Sequence, residues 1–227
     1  MLNGPHGSSG TPRVEIVRTR GDIDESLALI AREIERGKRS GVVQVESARA
    51  LGRKIDGVAA VPEHDGRREA AAIRRHVRRN VRYKMDPVGL DTFETAERTL
   101  ATGNADCDGQ TILVGALAES AGRPVALRAI STRPDQKFDH VYPLIEVEPG
   151  QWLAADSTVD KGLGWESKRI TNSRTVRVDG GRIAELPEAA TLGNGGGSGA
   201  GRGAAAWIVG TVALGAVLVW RYIRGSQ

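Results

Sequence analysis

Hydrophobic and polar positions in the first part of the chain repeat with the period of an α-helix. Apolar residues within 24–36 recur every three or four positions, which predicts an amphipathic helix that Gly41 ends. A second helix is predicted over Val45–Ile55. The third is predicted over residues 66–83, with one apolar stripe and arginines on its remaining faces. That stripe consists of Ala70, Ile73, Val77 and Val81.

Shorter elements surround these helices. The run Val14–Val17 alternates and predicts an isolated strand. The segment Met85–Gly89 contains a proline and breaks the third helix, because proline lacks the backbone donor and disfavours helical geometry in the residue before it. A short helical turn is predicted within Thr92–Leu100, and residues 102–106 have the composition of a loop.

The second half of the chain changes from helical to alternating periodicity. Cys107–Ala121 predicts a helix followed by Gly122 as its C-cap, so Cys107 is expected at a helix N-terminus. Strands are predicted over residues 125–130, 140–147, 151–155 and 174–178. The tight turn at 148–150 predicts that the second and third of these strands form an antiparallel hairpin.

The C-terminal part differs in composition. Residues 191–203 end in a glycine-rich stretch and are interpreted as a flexible linker. Residues 204–223 are interpreted as a transmembrane helix, because Ala204–Trp220 is uncharged and would span about 25 Å. Tryptophans lie at the positions of interfacial aromatics, and the flanking arginines weakly favour a cytoplasmic C-terminus. The alternative is a buried core helix, which the isolating linker disfavours.

The whole chain therefore divides into one domain with extensions. Residues 1–11 are polar, lack the apolar core of a signal peptide and are expected to be disordered. Residues 12–64 are interpreted as a helical N-terminal extension, either packed on the main domain or serving as a partner-binding arm. Residues 65–190 are expected to form an α+β domain, in which a helix packs on an antiparallel sheet.

Charge and composition limit the functional classes. The formal net charge is +4, and eight basic residues fall between Arg67 and Lys84. No aromatic interleaving accompanies them, so we expect a solvated helix face and no nucleic-acid partner. A single cysteine excludes an intramolecular disulfide, and the four histidines do not cluster with it at metal-ligand spacing. No metal or cofactor is expected, and the oligomeric state stays open.

A catalytic thiol is the main chemical hypothesis. A cysteine acts as a nucleophile in its thiolate form, and both a helix N-terminus and a nearby imidazolium lower the thiol pKa. Cys107 has the first by position, and His140 at the start of a strand can supply the second. Asp156 lies at the end of the next strand. In an antiparallel hairpin these two positions are neighbours, so Asp156 can orient the His140 ring.

Three separated motifs resemble those of the transglutaminase-like superfamily, which belongs to the papain-like thiol enzymes. They are Asp106-Cys107-Asp108-Gly109-Gln110, Asp139-His140-Val141-Tyr142 and Trp152-Leu153-Ala154-Ala155-Asp156-Ser157-Thr158. The region from Tyr83 to Gly103 resembles bacterial and phage-type members. The resemblance covers roughly residues 65–160 and implies Cys107 as nucleophile, His140 as general base and acid, and Asp156 as the orienting group. Asn104-Ala105 departs from the glycine that many members have before the Asp-Cys pair.

The resulting functional hypothesis is a thiol enzyme that performs acyl transfer or hydrolysis on amides of a protein or peptide substrate, through a Cys107 thioester. It would be membrane-anchored through residues 204–223, with the side of the catalytic domain left open. The alternatives are a cysteine peptidase of related fold and a non-catalytic, membrane-tethered or phage-structural interaction module. Asp106 and Asp108 are interpreted as helix caps, and exclusion of anionic substrates is the alternative.

Overall fold

A computed structural model describes residues 14–16, 22–52, 64–85, 92–187 and 190–193, and the statements below concern those residues. The helices are α1 (Ile23–Lys38), α2 (Gly41–Ala50), α3 (Gly66–Asn80), α4 (Ala96–Thr102) and α5 (Cys107–Ser120). The strands are β1 (Val14–Ile16), β2 (Arg82–Tyr83), β3 (Thr92–Glu94), β4 (Asn104–Ala105), β5 (Val125–Ser131), β6 (His140–Glu148), β7 (Gln151–Ala154), β8 (Asn172–Asp179), β9 (Arg182–Ala184) and β10 (Thr191–Gly193).

A six-stranded sheet and the helix α5 form the centre of this α+β fold. The strand order is β10-β7-β6-β5-β8-β9, with every neighbouring pair antiparallel except β10 and β7. Residues 109–118 of α5 are all buried, so this helix is apolar around its whole circumference. Such a helix must be covered on several sides, and the other helices and the sheet cover it.

The helices α1 and α2 belong to the same core as the sheet. Leu27, Ile30 and Ile34 of α1 are at most 1% exposed and lie in one apolar cluster with residues of α5 and β5. The side chain of Ser47 in α2 donates a hydrogen bond to the Leu117 carbonyl of α5 at 2.9 Å. Of the two interpretations of this N-terminal region, the structure therefore shows the helices packed on the main domain.

Several predicted boundaries are wrong, for local reasons. Gly41 is the first residue of α2 and does not end α1, which already stops at Lys38. The helix α3 ends at Asn80 and not at residue 83, because Val81 is extended and β2 pairs in parallel with β4. By contrast, the short helical turn predicted within Thr92–Leu100 is confirmed by α4, which begins at Ala96 after the strand β3 that pairs with β1.

The C-terminal predictions have different outcomes. The linker cannot begin at residue 191, because Thr191–Gly193 is the strand β10 and Thr191 donates its backbone N–H to the Gly150 carbonyl. Residues 194–203, the predicted transmembrane helix 204–223 and the predicted disordered residues 1–11 lie outside the described residues. Among the residues that are described, none of the helices is both long and apolar enough to cross a membrane.

Candidate active site

Cys107 is the first residue of α5, and the preceding segment determines where that helix begins. Gly103 ends α4 in the left-handed conformation, with φ of 63°, which a residue without a side chain adopts at little cost. The side chain of Asp106 then caps α5, since its Oδ1 accepts the Gly109 backbone N–H at 3.0 Å. This contact supports the capping interpretation of Asp106.

His140 and Asp156 are in direct contact. The predicted hairpin of β6 and β7 is present, and its register places Leu144 opposite Ala154. The backbone N–H of Ala155 donates to the Pro143 carbonyl at 2.8 Å, which carries the pairing one residue further. The result is that His140 Nε2 lies 2.8 Å from Asp156 Oδ2. That contact leaves Nδ1 as the ring nitrogen available for a substrate or a thiol.

The Asp156 carboxylate is fully engaged. Its second oxygen, Oδ1, accepts the backbone N–H of Thr158 at 2.8 Å and the hydroxyl of Thr158 at 2.6 Å. Burial opposes ionisation of Asp156, but the hydrogen bonds from His140 and Thr158 outweigh it, so the pKa of this carboxyl lies below its ordinary value. Asp156 is therefore an anion that fixes the orientation of the His140 ring.

Cys107 and His140 line one cavity of about 290 Å³. His140 also lines a second cavity of about 400 Å³, together with Tyr83, Asp156 and Trp165. The imidazole thus lies between two spaces, only one of which contains the thiol. The structure brings the three predicted residues to one site, with the histidine between the carboxylate and the cysteine cavity.

The second cavity has a wall of linked polar groups. The Tyr142 hydroxyl donates to Glu166 Oε1 at 2.6 Å, and Arg128 Nε lies 3.0 Å from the same oxygen. Burial and the Glu166 hydrogen bond raise the pKa of Tyr142. Burial, followed by the negative charges that Cys107, when ionised, and Asp106 carry, raises the pKa of Tyr83 to about 12. Both phenols therefore stay protonated at neutral pH.

The prediction of a lowered thiol pKa is wrong for the resting protein. Burial, and then the negative charges of Asp108 and Asp106, raise the pKa of Cys107 well above its ordinary value, while a hydrogen bond from the Val141 backbone opposes them. Cys107 Sγ lies 3.7 Å from Asp108 Oδ1 and donates to it. The two flanking carboxylates therefore offset the effect of the helix N-terminus, and the resting group is a neutral thiol.

A buried arginine that the sequence analysis missed supports the Asp156 loop. Arg74 of α3 is 5% exposed, and its Nε and Nη2 each donate at 2.7 Å, to the backbone carbonyls of Asp156 and Val159 respectively. Its position gave a signal, because Arg74 lies within the apolar stripe, adjacent to Ile73 and three residues before Val77. A cation inside such a stripe requires buried acceptors.

A second missed contact connects the nucleophile helix to the same loop. The Ser157 hydroxyl donates to Gln110 Oε1 at 2.7 Å, and both side chains are buried. One residue later, the Thr111 hydroxyl donates to the Val141 carbonyl of β6 at 3.1 Å. These bonds fix the first turn of α5 against the residues beside His140 and Asp156.

Comparison with known families agrees with this geometry. A model of the transglutaminase-like superfamily core matches residues 50–157, a range that contains Cys107, His140 and Asp156. Residues 50–157 belong to the transglutaminase-like superfamily. The helix α1 and the strands β8–β10 of this chain lie outside that range.

Two solved structures resemble this chain at low sequence identity. One, from Cytophaga hutchinsonii, is provisionally named a cysteine protease and is 16% identical in sequence, with a TM-score of 0.39. The matched region spans 75% of this chain and 62% of the Cytophaga chain. The other, from Parabacteroides distasonis, is provisionally named a protease and is 15% identical in sequence, with a TM-score of 0.39. The matched region spans 71% of this chain and 31% of the Parabacteroides chain. No curated protein matches the sequence.

The described part of the chain has no group of three or more histidine, cysteine, aspartate or glutamate side chains placed to hold a metal ion.

His76 of α3 is partly buried and contacts a neighbouring helix. Its Nε2 lies 2.7 Å from Glu46 Oε1, a contact that joins α3 to α2.

Proposed function

We propose that this protein is a thiol enzyme that forms a thioester between Cys107 and the acyl group of a protein or peptide amide. The observation that carries the proposal is the 2.8 Å contact of His140 Nε2 with Asp156 Oδ2, beside a cavity that His140 shares with Cys107. A nucleophile, a base and an orienting carboxylate in that relation are the elements of acyl-transfer catalysis.

In the first step, Cys107 Sγ attacks the amide carbonyl carbon, and the thiol proton passes to His140. The raised pKa of Cys107 makes this transfer to a general base necessary at neutral pH. The oxyanion would lie at the N-terminus of α5, where the backbone N–H of Cys107 and the helix dipole stabilise negative charge. The C–N bond then breaks, and the departing amine takes the proton from His140.

In the second step, an amine or a water molecule attacks the thioester and loses a proton to His140, and the Cys107 thiol is regenerated. An amine acceptor gives a cross-linked or transamidated product, and water gives deamidation or peptide hydrolysis. The chemistry is the same up to the thioester, so both outcomes belong to one proposal, and the peptidase alternative differs only in the bond that is cleaved.

The test is incubation of the full chain with a glutamine-containing protein and a fluorescent primary amine. We expect amine incorporation, or ammonia release without incorporation, for the wild type and neither for Cys107→Ala. Asp160→Asn is a suitable control, because the Asp160 side chain is 97% exposed. Peptide cleavage that requires Cys107 would identify the peptidase. No Cys107-dependent product in any of these assays would favour the non-catalytic module.

We also propose that residues 204–223 anchor the protein in a membrane. The support is the uncharged run Ala204–Trp220, which ends in a tryptophan and is followed by arginine. We expect the full chain to float with lipid vesicles through a density gradient, also after alkaline washing, and a chain ending at residue 196 to stay at the bottom. Flotation of both chains, or of neither, would contradict the proposal.

A further inference from the structure

We propose that the cavity containing Cys107 binds an apolar side chain of the acyl-donor substrate, and that helix α1 helps to select that side chain. This inference rests on the proposed function, since it assigns the substrate class of the same site. It adds a binding site formed in part by residues outside the family match at 50–157.

Part of the wall of this cavity is apolar. It includes Ile23, Leu27, Ile30, Phe93, Phe138 and Val141. Leu27, Ile30 and Phe93 are at most 2% exposed and form a fixed base. Ile23 and Phe138 are only half-buried, so they remain accessible to a ligand. A substrate side chain that covers them would transfer its own apolar surface and theirs out of water.

The size of the cavity limits what it can hold. Its volume of about 290 Å³ lies at the lower end of the range of about 300–1,000 Å³ for small-molecule sites. That space suits one large side chain next to the reacting amide, with the carbonyl at Cys107. A residue such as leucine or phenylalanine fills such a space without leaving a buried polar group unpaired.

The charged residues around the cavity also favour a neutral substrate side chain over an acidic one. Asp106, Asp108 and Asp139 line it, and no lysine or arginine is among the described residues that do so. An acidic side chain would meet these three carboxylates in the cavity, so the cavity disfavours it. The carboxylates beside Cys107 thus disfavour anionic substrates while the apolar wall favours neutral ones.

The contribution of α1 follows from the fold. Ile23 and Leu27 lie in the first two turns of α1, and the side chain of Asp22 caps that helix by accepting the Asp24 backbone N–H at 2.9 Å. The helix α1 packs on α5, and Ile23 and Leu27 line the same cavity as Cys107, the first residue of α5. A segment outside the matched family range therefore forms one side of the nucleophile cavity.

The experiment measures alkylation of Cys107 in the full chain at pH 9 by chloroacetamides that differ in the group on nitrogen. The groups are hydrogen, isobutyl, benzyl, carboxymethyl and aminoethyl. We expect the isobutyl and benzyl reagents to react at least about tenfold faster than the unsubstituted reagent, the gain typical of burying one apolar side chain. The carboxymethyl reagent should be the slowest.

Two variants and one matched control test which residues cause the preference for apolar reagents. Ile23→Ser and Phe138→Ser should each reduce the ratio of the apolar-reagent rates to the unsubstituted rate severalfold. Val45→Ser removes an apolar side chain of α2 that is 54% exposed and away from the cavity, and it should change nothing. Circular dichroism establishes that each variant is folded, and if Ile23→Ser unfolds, Phe138→Ser carries the test.

Equal rates for all reagents would overturn the inference. A preference for the aminoethyl or carboxymethyl reagent, or an apolar preference that survives both variants, would also overturn it. Alkylation requires no amide turnover, so these outcomes are independent of amine incorporation. A failed proposed function would instead appear as absent Cys107-dependent product, whatever the alkylation preference.

Discussion

At Cys107, two effects with opposite signs act on the thiol. The N-terminus of α5 and the Val141 backbone N–H favour the thiolate, whereas burial and the carboxylates of Asp106 and Asp108 disfavour it and prevail. The resting site therefore holds a neutral thiol. Under the proposed mechanism, deprotonation coincides with substrate attack, and His140 accepts the proton at that moment.

Replacing Asp108 with asparagine tests this balance. Because Asp108→Asn removes one negative charge beside the sulfur, the pKa of Cys107 should fall and alkylation by iodoacetamide at pH 8 should accelerate at least about twofold. For the wild type, the rate should keep rising with pH above 9. Asp160→Asn should leave the profile unchanged. A wild-type rate that is already constant below pH 7 would show a preformed thiolate and contradict the account.

Arg74 gives a second prediction for a single residue. Arg74→Met keeps the length of the side chain but leaves the carbonyls of Asp156 and Val159 without their donor. An unsatisfied buried group costs about 1–3 kcal/mol, so the free energy of unfolding should fall by about 2 kcal/mol or more. Urea denaturation measures this value. Arg75→Met, at the exposed neighbouring position, should change it by less than about 0.5 kcal/mol. Equal effects of the two substitutions would contradict the assigned role.

Among the secondary-structure elements, those that carry the triad were predictable from sequence. The helix from Cys107 and the hairpin that joins His140 to Asp156 have strong periodicity and clear turn signals. Arg74 was missed because its partners are backbone carbonyls 82 and 85 residues away in sequence, which periodicity cannot reveal. Strands β9 and β10 were missed because three-residue strands are too short to show alternation.

The start of α3 offers a prediction at the level of elements. Gly66 packs so closely on β6 that a Cβ atom there would overlap the backbone carbonyl of Val147. Gly66→Ala should therefore lower the free energy of unfolding by about 1–3 kcal/mol, since a backbone atom cannot move aside cheaply. Gly162→Ala is the control, because a Cβ at Gly162 meets nothing within 4 Å. Thermal unfolding of both variants tests this prediction. An unchanged midpoint temperature of unfolding for Gly66→Ala would contradict the close packing of Gly66 on Val147.

At the scale of the whole molecule, α1 is the longest element outside the family match. The family model begins at residue 50, whereas α1 belongs to the same compact unit as α5 and the six-stranded sheet. Leu27, Ile30 and Ile34 are fully buried against the core. Each buried side chain of this kind contributes about 1.5–3 kcal/mol. Their sum approaches the total stability of an ordinary domain, about 5–15 kcal/mol.

A comparison of two fragments tests this dependence. We expect residues 1–196 to unfold cooperatively in urea, and residues 50–196 to lack a cooperative transition and to bind a hydrophobic dye, because α5 loses the cover that α1 provides. The near-ultraviolet circular dichroism of the two fragments gives an independent comparison. Cooperative unfolding of residues 50–196 with similar stability would show that α1 is dispensable for folding.

Detection of the covalent intermediate tests the thiol mechanism most directly. The full chain is mixed with a glutamine-containing peptide, quenched in acid within seconds and analysed by intact-protein and peptide mass spectrometry. We predict an adduct on Cys107 equal to the peptide minus ammonia, removable by hydroxylamine, absent in Cys107→Ala and reduced at least about a hundredfold in His140→Ala. A folded wild-type protein that forms no such adduct with any glutamine or peptide-amide substrate, or forms it equally well without His140, would contradict the assignment.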